Sequence, residues 1–197
     1  MSERQAKIER NTNETRIVVE IDIDGSGRAS LATGIPFLDH MLDQVARHGM
    51  IDLTVRAEGD LHIDAHHTVE DVGITFGQAL AQALGDKRGI RRYGDALVPM
   101  EEALVQVALD LSGRPLLVYD APIPFEAVGQ YDTALTEEFL QAFVRSAGLT
   151  LHVRLLAGRN AHHMVEAVFK AVARALGDAV SLDSRAGDSV PSTKGVL

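Results

Sequence analysis

His66-His67-Thr68-Val69-Glu70 recurs as His162-His163-Met164-Val165-Glu166, with both histidines and the glutamate displaced by the same 96 positions. Four of the eight histidines in the 197-residue chain fall in these two copies. A lone His-His pair reads as a helix terminus with partly exposed imidazoles. A repeated pair, each with a carboxylate four residues after the first imidazole, reads as metal ligation. On a helix, His66 and Glu70 share a face, as do His162 and Glu166, while His67 and His163 point about 100° away. Each motif can therefore serve two metal sites at once, which suggests a two-metal centre. Imidazole with carboxylate and no thiolate suits manganese, iron, zinc, cobalt or nickel.

The repetition extends outward from these motifs, as an internal duplication requires. Residues 16–24 read as a strand running into Gly25-Ser26-Gly27-Arg28, and Ala103 to Asp110 as a strand running into Leu111-Ser112-Gly113-Arg114. Ile-Pro-Phe follows each, at 35–37 and 123–125. Apolar residues at 37, 38, 41, 42 and 45, and at 139, 140, 143 and 144, predict helices over Phe37 to His48 and Thr136 to Ser146. Strands are predicted at Ile51 to Ala57 with Leu61 to Ile63, and at Leu149 to Leu156 with a Gly158-Arg159-Asn160 exit. Each His-His motif then opens an alanine-rich helix ending in Leu84-Gly85-Asp86 or Leu176-Gly177-Asp178. The offset there is 92, which predicts about one extra helical turn in the first copy.

This order argues for an α+β fold, internally duplicated, each half a small β-sheet with helices packed on one face. Halves of this size bury more by packing on each other, so a single domain over 1–197 is predicted, made of pseudo-repeats at about 10–95 and 96–190. The composition is that of an ordinary globular protein, 46% hydrophobic and 24% charged. The absence of cysteine excludes disulfides and thiolate metal sites. No apolar signal region opens the chain and no run of about 18 apolar residues occurs in it, so the expectation is a cytoplasmic protein with no membrane partner. A net charge of −9 disfavours nucleic acid as a partner.

Basic clusters stand out against that charge. Lys87-Arg88-Gly89-Ile90-Arg91-Arg92 carries four cations, and Pro191-Ser192-Thr193-Lys194-Gly195 joins hydroxyls, a cation and a glycine. Both fit a phosphate group, or alternatively a solvated helix end and a frayed tail. Lys170 lies four residues after Glu166, on the same helix face, where an anionic substrate would separate it from a metal.

Gly34-Ile-Pro-Phe-Leu-Asp-His-Met-Leu, His62-Ile-Asp-Ala-His-His-Thr-Val-Glu-Asp, Asp110-Leu-Ser-Gly-Arg-Pro, Ala161-His-His-Met-Val-Glu-Ala-Val-Phe-Lys-Ala and Pro191-Ser-Thr-Lys-Gly-Val-Leu together resemble imidazoleglycerol-phosphate dehydratase of histidine biosynthesis, from about residue 5 to the last residue. The resemblance implies halves of the ribosomal protein S5 domain 2-like kind, with the tail 191–197 contributing to the active site. It implies two divalent metal ions per active site, manganese foremost, held by His40, His66, His67, Glu70, His162, His163 and Glu166. The eighth ligand is Glu138, where plant members carry histidine, with His152 as the alternative; His152, His48 and His62 have plain readings as packed or supporting residues. Substrate contacts map onto Glu14, Arg92, Arg114, Lys170, Ser192 and Lys194.

The implied reaction turns D-erythro-imidazole glycerol phosphate into imidazole acetol phosphate and water. The metals would make the substrate's ring an imidazolate, whose electrons expel a hydroxyl through a diazafulvene-like intermediate. Glu14 or Glu166, with Glu70 behind them, would remove the side-chain proton. Family membership also implies a homo-oligomer, a shell of twenty-four subunits built from trimers with active sites between subunits. A dinuclear phosphoester hydrolase would need metals bridged at about 3.5–4 Å. A ferritin-like metal store would need a four-helix bundle without strands.

Overall fold

The structure is a computed structural model that describes residues 4–197, so residues 1–3 of the N-terminal stretch read for an export signal lie outside the described residues. The first half runs β1 (Gln5–Asn11), β2 (Thr15–Asp22), β3 (Ala29–Ala32), α1 (Pro36–Gly49), β4 (Asp52–Gly59) and α2 (His66–Leu84). The second runs β5 (Tyr93–Met100), β6 (Ala103–Asp110), β7 (Leu116–Asp120), a two-stranded excursion β8 (Ala127–Val128) and β9 (Tyr131–Asp132), α3 (Leu135–Ala147), β10 (Thr150–Ala157) and α4 (Ala161–Val180).

The two four-stranded sheets repeat one topology, β1-β2-β4-β3 and β5-β6-β10-β7. In each, the first three neighbours pair antiparallel, with Thr15 opposite Gly59 and Thr150 opposite Asp110, and the last pair is parallel. The parallel partners are joined through α1 or α3, the crossover that parallel pairing needs. Alternation sets the faces: Ile17, Val19 and Ile21 of β2 are buried, while Arg16 and Glu20 are exposed. The strands rule out the ferritin-like bundle.

The inner faces are covered by helices, and the halves interlock through them. α2 lies on β1 and β2 and α4 on β5 and β6, but α1 packs on α4 and α3 on α2. Each short helix thus covers the long helix of the other half. α2 and α3 approach closely because Gly73 and Gly77 have no side chain: a Cβ would stand 2.7 Å from the Phe139 carbonyl oxygen and 2.6 Å from that of Phe143.

Several elements differ from the sequence reading. Leu61 to Ile63 form a turn, not a strand; the Ile63 amide closes it on the Asp60 carbonyl at 2.8 Å and Ile63 is exposed. α4 does not stop at Leu176-Gly177-Asp178 but continues to Val180, so the helices have 19 and 20 residues and the 96-residue offset holds to their ends. Gly177 is a packing glycine there, since a Cβ would lie 2.7 Å from the Gly49 carbonyl oxygen. The Ile-Pro-Phe repeat is not structural either: at 35–37 it opens α1, whereas Phe125 stands exposed in a loop ahead of β8. β1, β3 and β7 carry too few buried residues to show as alternating runs, and β5 alternates but buries Gly94 and Ala96 while Leu97 faces out.

Candidate metal and substrate site

The first turn of each long helix aims the histidine pair. Asn160 caps α4, its Oδ1 accepting from the His162 and His163 amides, and Asp64 Oδ1 accepts from the His66 amide at 2.8 Å in the same place on α2. Consecutive imidazoles then diverge. The ring planes of His162 and His163 are 82° apart, and those of His66 and His67 are 89° apart.

His162 and Glu166 share the face that α4 turns to α1, and His40 of α1 meets them. Glu166 Oε2 is 3.1 Å from His162 Nε2 and 3.4 Å from His40 Nε2, and all three ligand atoms lie within 4.8 Å of one another. The edge of Phe37 packs on His162 at 5.0 Å, which restricts the ring. Two imidazole nitrogens and a carboxylate, open to solvent on the imidazole side, fit a divalent ion. Burial opposes ionisation of Glu166, but the Lys170 ammonium 2.6 Å from Oε1, with His40 and His162, outweighs it and holds the carboxyl below its ordinary range.

Glu138 is to α3 what His40 is to α1. Each lies ten residues before a left-handed helix cap, Gly148 or Met50, so the two positions correspond. Glu138 and His66 border one cavity of about 560 Å³ with Asp64, Gln130 and Leu135. Among the described residues, however, His66, Glu70 and Glu138 do not gather as closely as His40, His162 and Glu166. His152 sits on the exposed outer face of its sheet, opposite Ala108 and Val118, rather than packed. His62 is exposed in the turn after β4, and His48 is half-buried near the end of α1, where burial depresses its pKa, with Lys170 and Arg174 adding to that.

The second histidine of each pair turns to a carboxylate that the sequence reading missed, Asp60 for His67 and Glu102 for His163. His67 Nδ1 is 2.9 Å from Asp60 Oδ2 and 3.8 Å from Glu14 Oε2. His163 Nδ1 is 2.7 Å from Glu102 Oε2, while Glu102 Oε1 accepts from the Arg159 and Asn160 amides at 3.1 and 2.7 Å. The His163 contact and these amides pull the Glu102 carboxyl down to about 2. The hydrogen bond to Asp60 raises His67 and lowers Asp60 in turn. Glu102 was findable: it precedes β6 as Glu14 precedes β2.

The residues assigned to phosphate do not form one cluster. Arg92, at a positive φ of 73°, donates twice to Asp110 at 2.7 and 3.1 Å and once to the Pro191 carbonyl at 2.8 Å, tying the tail to β6. Arg114 Nη2 stands 3.8 Å from the same Asp110 carboxylate. Ser192 is half-buried beside this cluster and Lys194 is exposed. Lys170 is elsewhere, its ammonium between Glu166 and Met100 Sδ.

Residues 33–176 match the family model described as imidazoleglycerol-phosphate dehydratase. The chain is 60% identical to the imidazoleglycerol-phosphate dehydratase of Cereibacter sphaeroides and 61% to that of Bordetella petrii, covering 98% of this chain and all of each relative. The crystal structure of the Staphylococcus aureus enzyme superposes with a TM-score of 0.83 at 40% identity, over 91% of this chain and 99% of that one. The Pyrococcus furiosus enzyme, solved in complex with (S)-C348, also gives 0.83, at 38% identity over 96% and 100% of the two chains.

Proposed function

The chain belongs to the imidazoleglycerol-phosphate dehydratase family, a hydro-lyase of histidine biosynthesis, and from that premise we propose how its residues share the work. The convergence of His40, His162 and Glu166 carries the reading. These three would hold one divalent ion, manganese foremost, and His66, Glu70 and Glu138 a second, with His67 and His163 reaching the sites of neighbouring copies. Metal bound there supplies Lewis acidity that makes the substrate's ring N–H acidic.

The protein groups have separate tasks. Glu14 is exposed and is engaged by no strong donor, so it suits proton removal from the substrate's side chain, whereas Glu166 is buried against Lys170 and suits ligation. Glu70 would ligate likewise. The departing hydroxyl leaves as water, and the enol left behind becomes the acetol phosphate ketone. Arg92, Arg114, Lys170, Ser192 and Lys194 would bind the phosphate and orient the substrate.

Divergent second histidines and dispersed phosphate residues support active sites shared between copies, in a large homo-oligomer assembled from trimers. Within each copy the two pseudo-repeats act as one domain, with residues 191–197 folded back towards the site. A phosphorylated substrate and product suit an enzyme of the cytoplasm, and no helix among the described residues is long and apolar enough to cross a membrane.

The test is turnover of imidazole glycerol phosphate to an acetol product, abolished by a chelator and restored by manganese, with light scattering before and after. Full turnover by metal-free protein would overturn the metal assignment. A fully active monomer would overturn the shared site.

A further inference from the structure

The duplication makes each half a control for the other. Glu14 and Glu102 are equivalent hairpin tips, and because a β-bulge between Leu155 and Ala157 brings Gly158 into correspondence with Gly59, Asp60 corresponds to Arg159. In the second half that position carries Arg159, whose guanidinium cannot accept from an imidazole N–H. Glu102 therefore supplies the carboxylate for His163, at 2.7 Å. In the first half Asp60 takes that place at 2.9 Å, and Glu14 is left 3.8 Å away and exposed.

Both carboxylates are committed to this contact. Glu102 Oε1 is occupied by two backbone amides, leaving Oε2 aimed at His163. Among the described residues Asp60 Oδ1 is buried without a partner, and the His67 contact is the side chain's one strong bond. A buried carboxylate oxygen left unpaired is costly. An imidazole that donates from Nδ1 carries its lone pair on Nε2, the arrangement by which carboxylates orient metal-binding histidines.

We propose that Asp60 and Glu102 are positioning residues: each accepts the Nδ1–H of the second histidine of its motif and fixes the tautomer whose Nε2 binds a divalent metal shared with another copy. By taking over His67, Asp60 also releases Glu14 to act on substrate. The inference rests on the metal-centre reading above.

Glu102→Gln is a sharp test because shape is kept. The carbonyl of the new side-chain amide would still accept from the two backbone amides, which turns its NH2 towards His163 Nδ1 and forces the proton onto Nε2. Full-length protein, stripped by chelator, is titrated with Mn2+ by calorimetry, and its histidine tautomers are read from 15N chemical shifts. The wild type should take up two ions per chain. E102Q should weaken one of them about 10–100-fold, with the His163 shifts moving to the Nε2–H form. Asp60→Asn should weaken metal binding through His67, which keeps the test independent of how E102Q folds. A wild type that binds two ions, with both variants equal to it in affinity and tautomer, would overturn this inference alone. A wild type that binds no manganese would overturn the metal reading and the inference together.

Discussion

Arg92 and Lys170 stand at opposite ends of β5: Arg92 immediately precedes Tyr93, and the Lys170 ammonium lies 3.4 Å from Met100 Sδ. Eight antiparallel residues extend about 27 Å, too far for both cations to hold one phosphate within a chain. If the site is shared, one copy supplies Arg92 and another Lys170. Arg92→Ala and Lys170→Ala proteins, each weak alone, should regain activity when dissociated, mixed and reassembled with metal, since roughly a quarter of randomly paired sites would hold both residues. No recovery in the mixture would argue for sites within single chains.

Metal content should follow the histidines that leave their own triad. His67→Ala or His163→Ala removes one ligand, and elemental analysis should report less manganese per chain than in wild type. His152→Ala should leave the content unchanged, because that ring lies on the outer face of its sheet.

Binding and chemistry should separate on different residues. Lys194→Ala should raise KM with little effect on kcat, whereas Glu14→Gln should lower kcat by about 10²–10⁴-fold, the usual contribution of a general base, with metal retained. Steady-state kinetics with parallel metal analysis would check both.

Acid should compete with metal at His67. Its pKa lies above the ordinary 6.5 because Asp60 accepts its hydrogen bond and Glu14 adds negative charge. In metal-free protein the His67–Asp60 pair contributes stability that is fully present below 6.5 and is lost as pH rises through the raised value. Metal binding requires neutral imidazole, so manganese affinity should fall as pH drops through that raised value. Asp60→Asn should move this fall to lower pH, read by titration at a series of pH values.

The helix contact that joins the halves should tolerate no added methyl. A Cβ at Gly77 would meet the Phe143 carbonyl oxygen at 2.6 Å and the Ala147 amide nitrogen at 2.9 Å, and these are backbone atoms. Gly77→Ala should destabilise by about 1–3 kcal/mol, visible as a lower urea midpoint, although alanine favours helix elsewhere.

The sequence by itself determined the duplication, the starts of the four main helices, the long inner strands and the pairing of His162 with the glutamate one turn later, because helix periodicity and spacing along one chain are local properties. The edge strands were not legible: β1 buries only Ala6 and so lacks an alternating run. Nor was the partner of His163, since Glu102 lies 61 residues away on a hairpin whose approach to α4 depends on how β5 and β6 pack beneath that helix. Only the tertiary structure decided that His40 joins His162 and Glu166 across the two halves, and that Arg92 and Lys170 lie apart. Such juxtapositions arise from the interlocked packing of α1 on α4 and α3 on α2, which no spacing within a single element encodes.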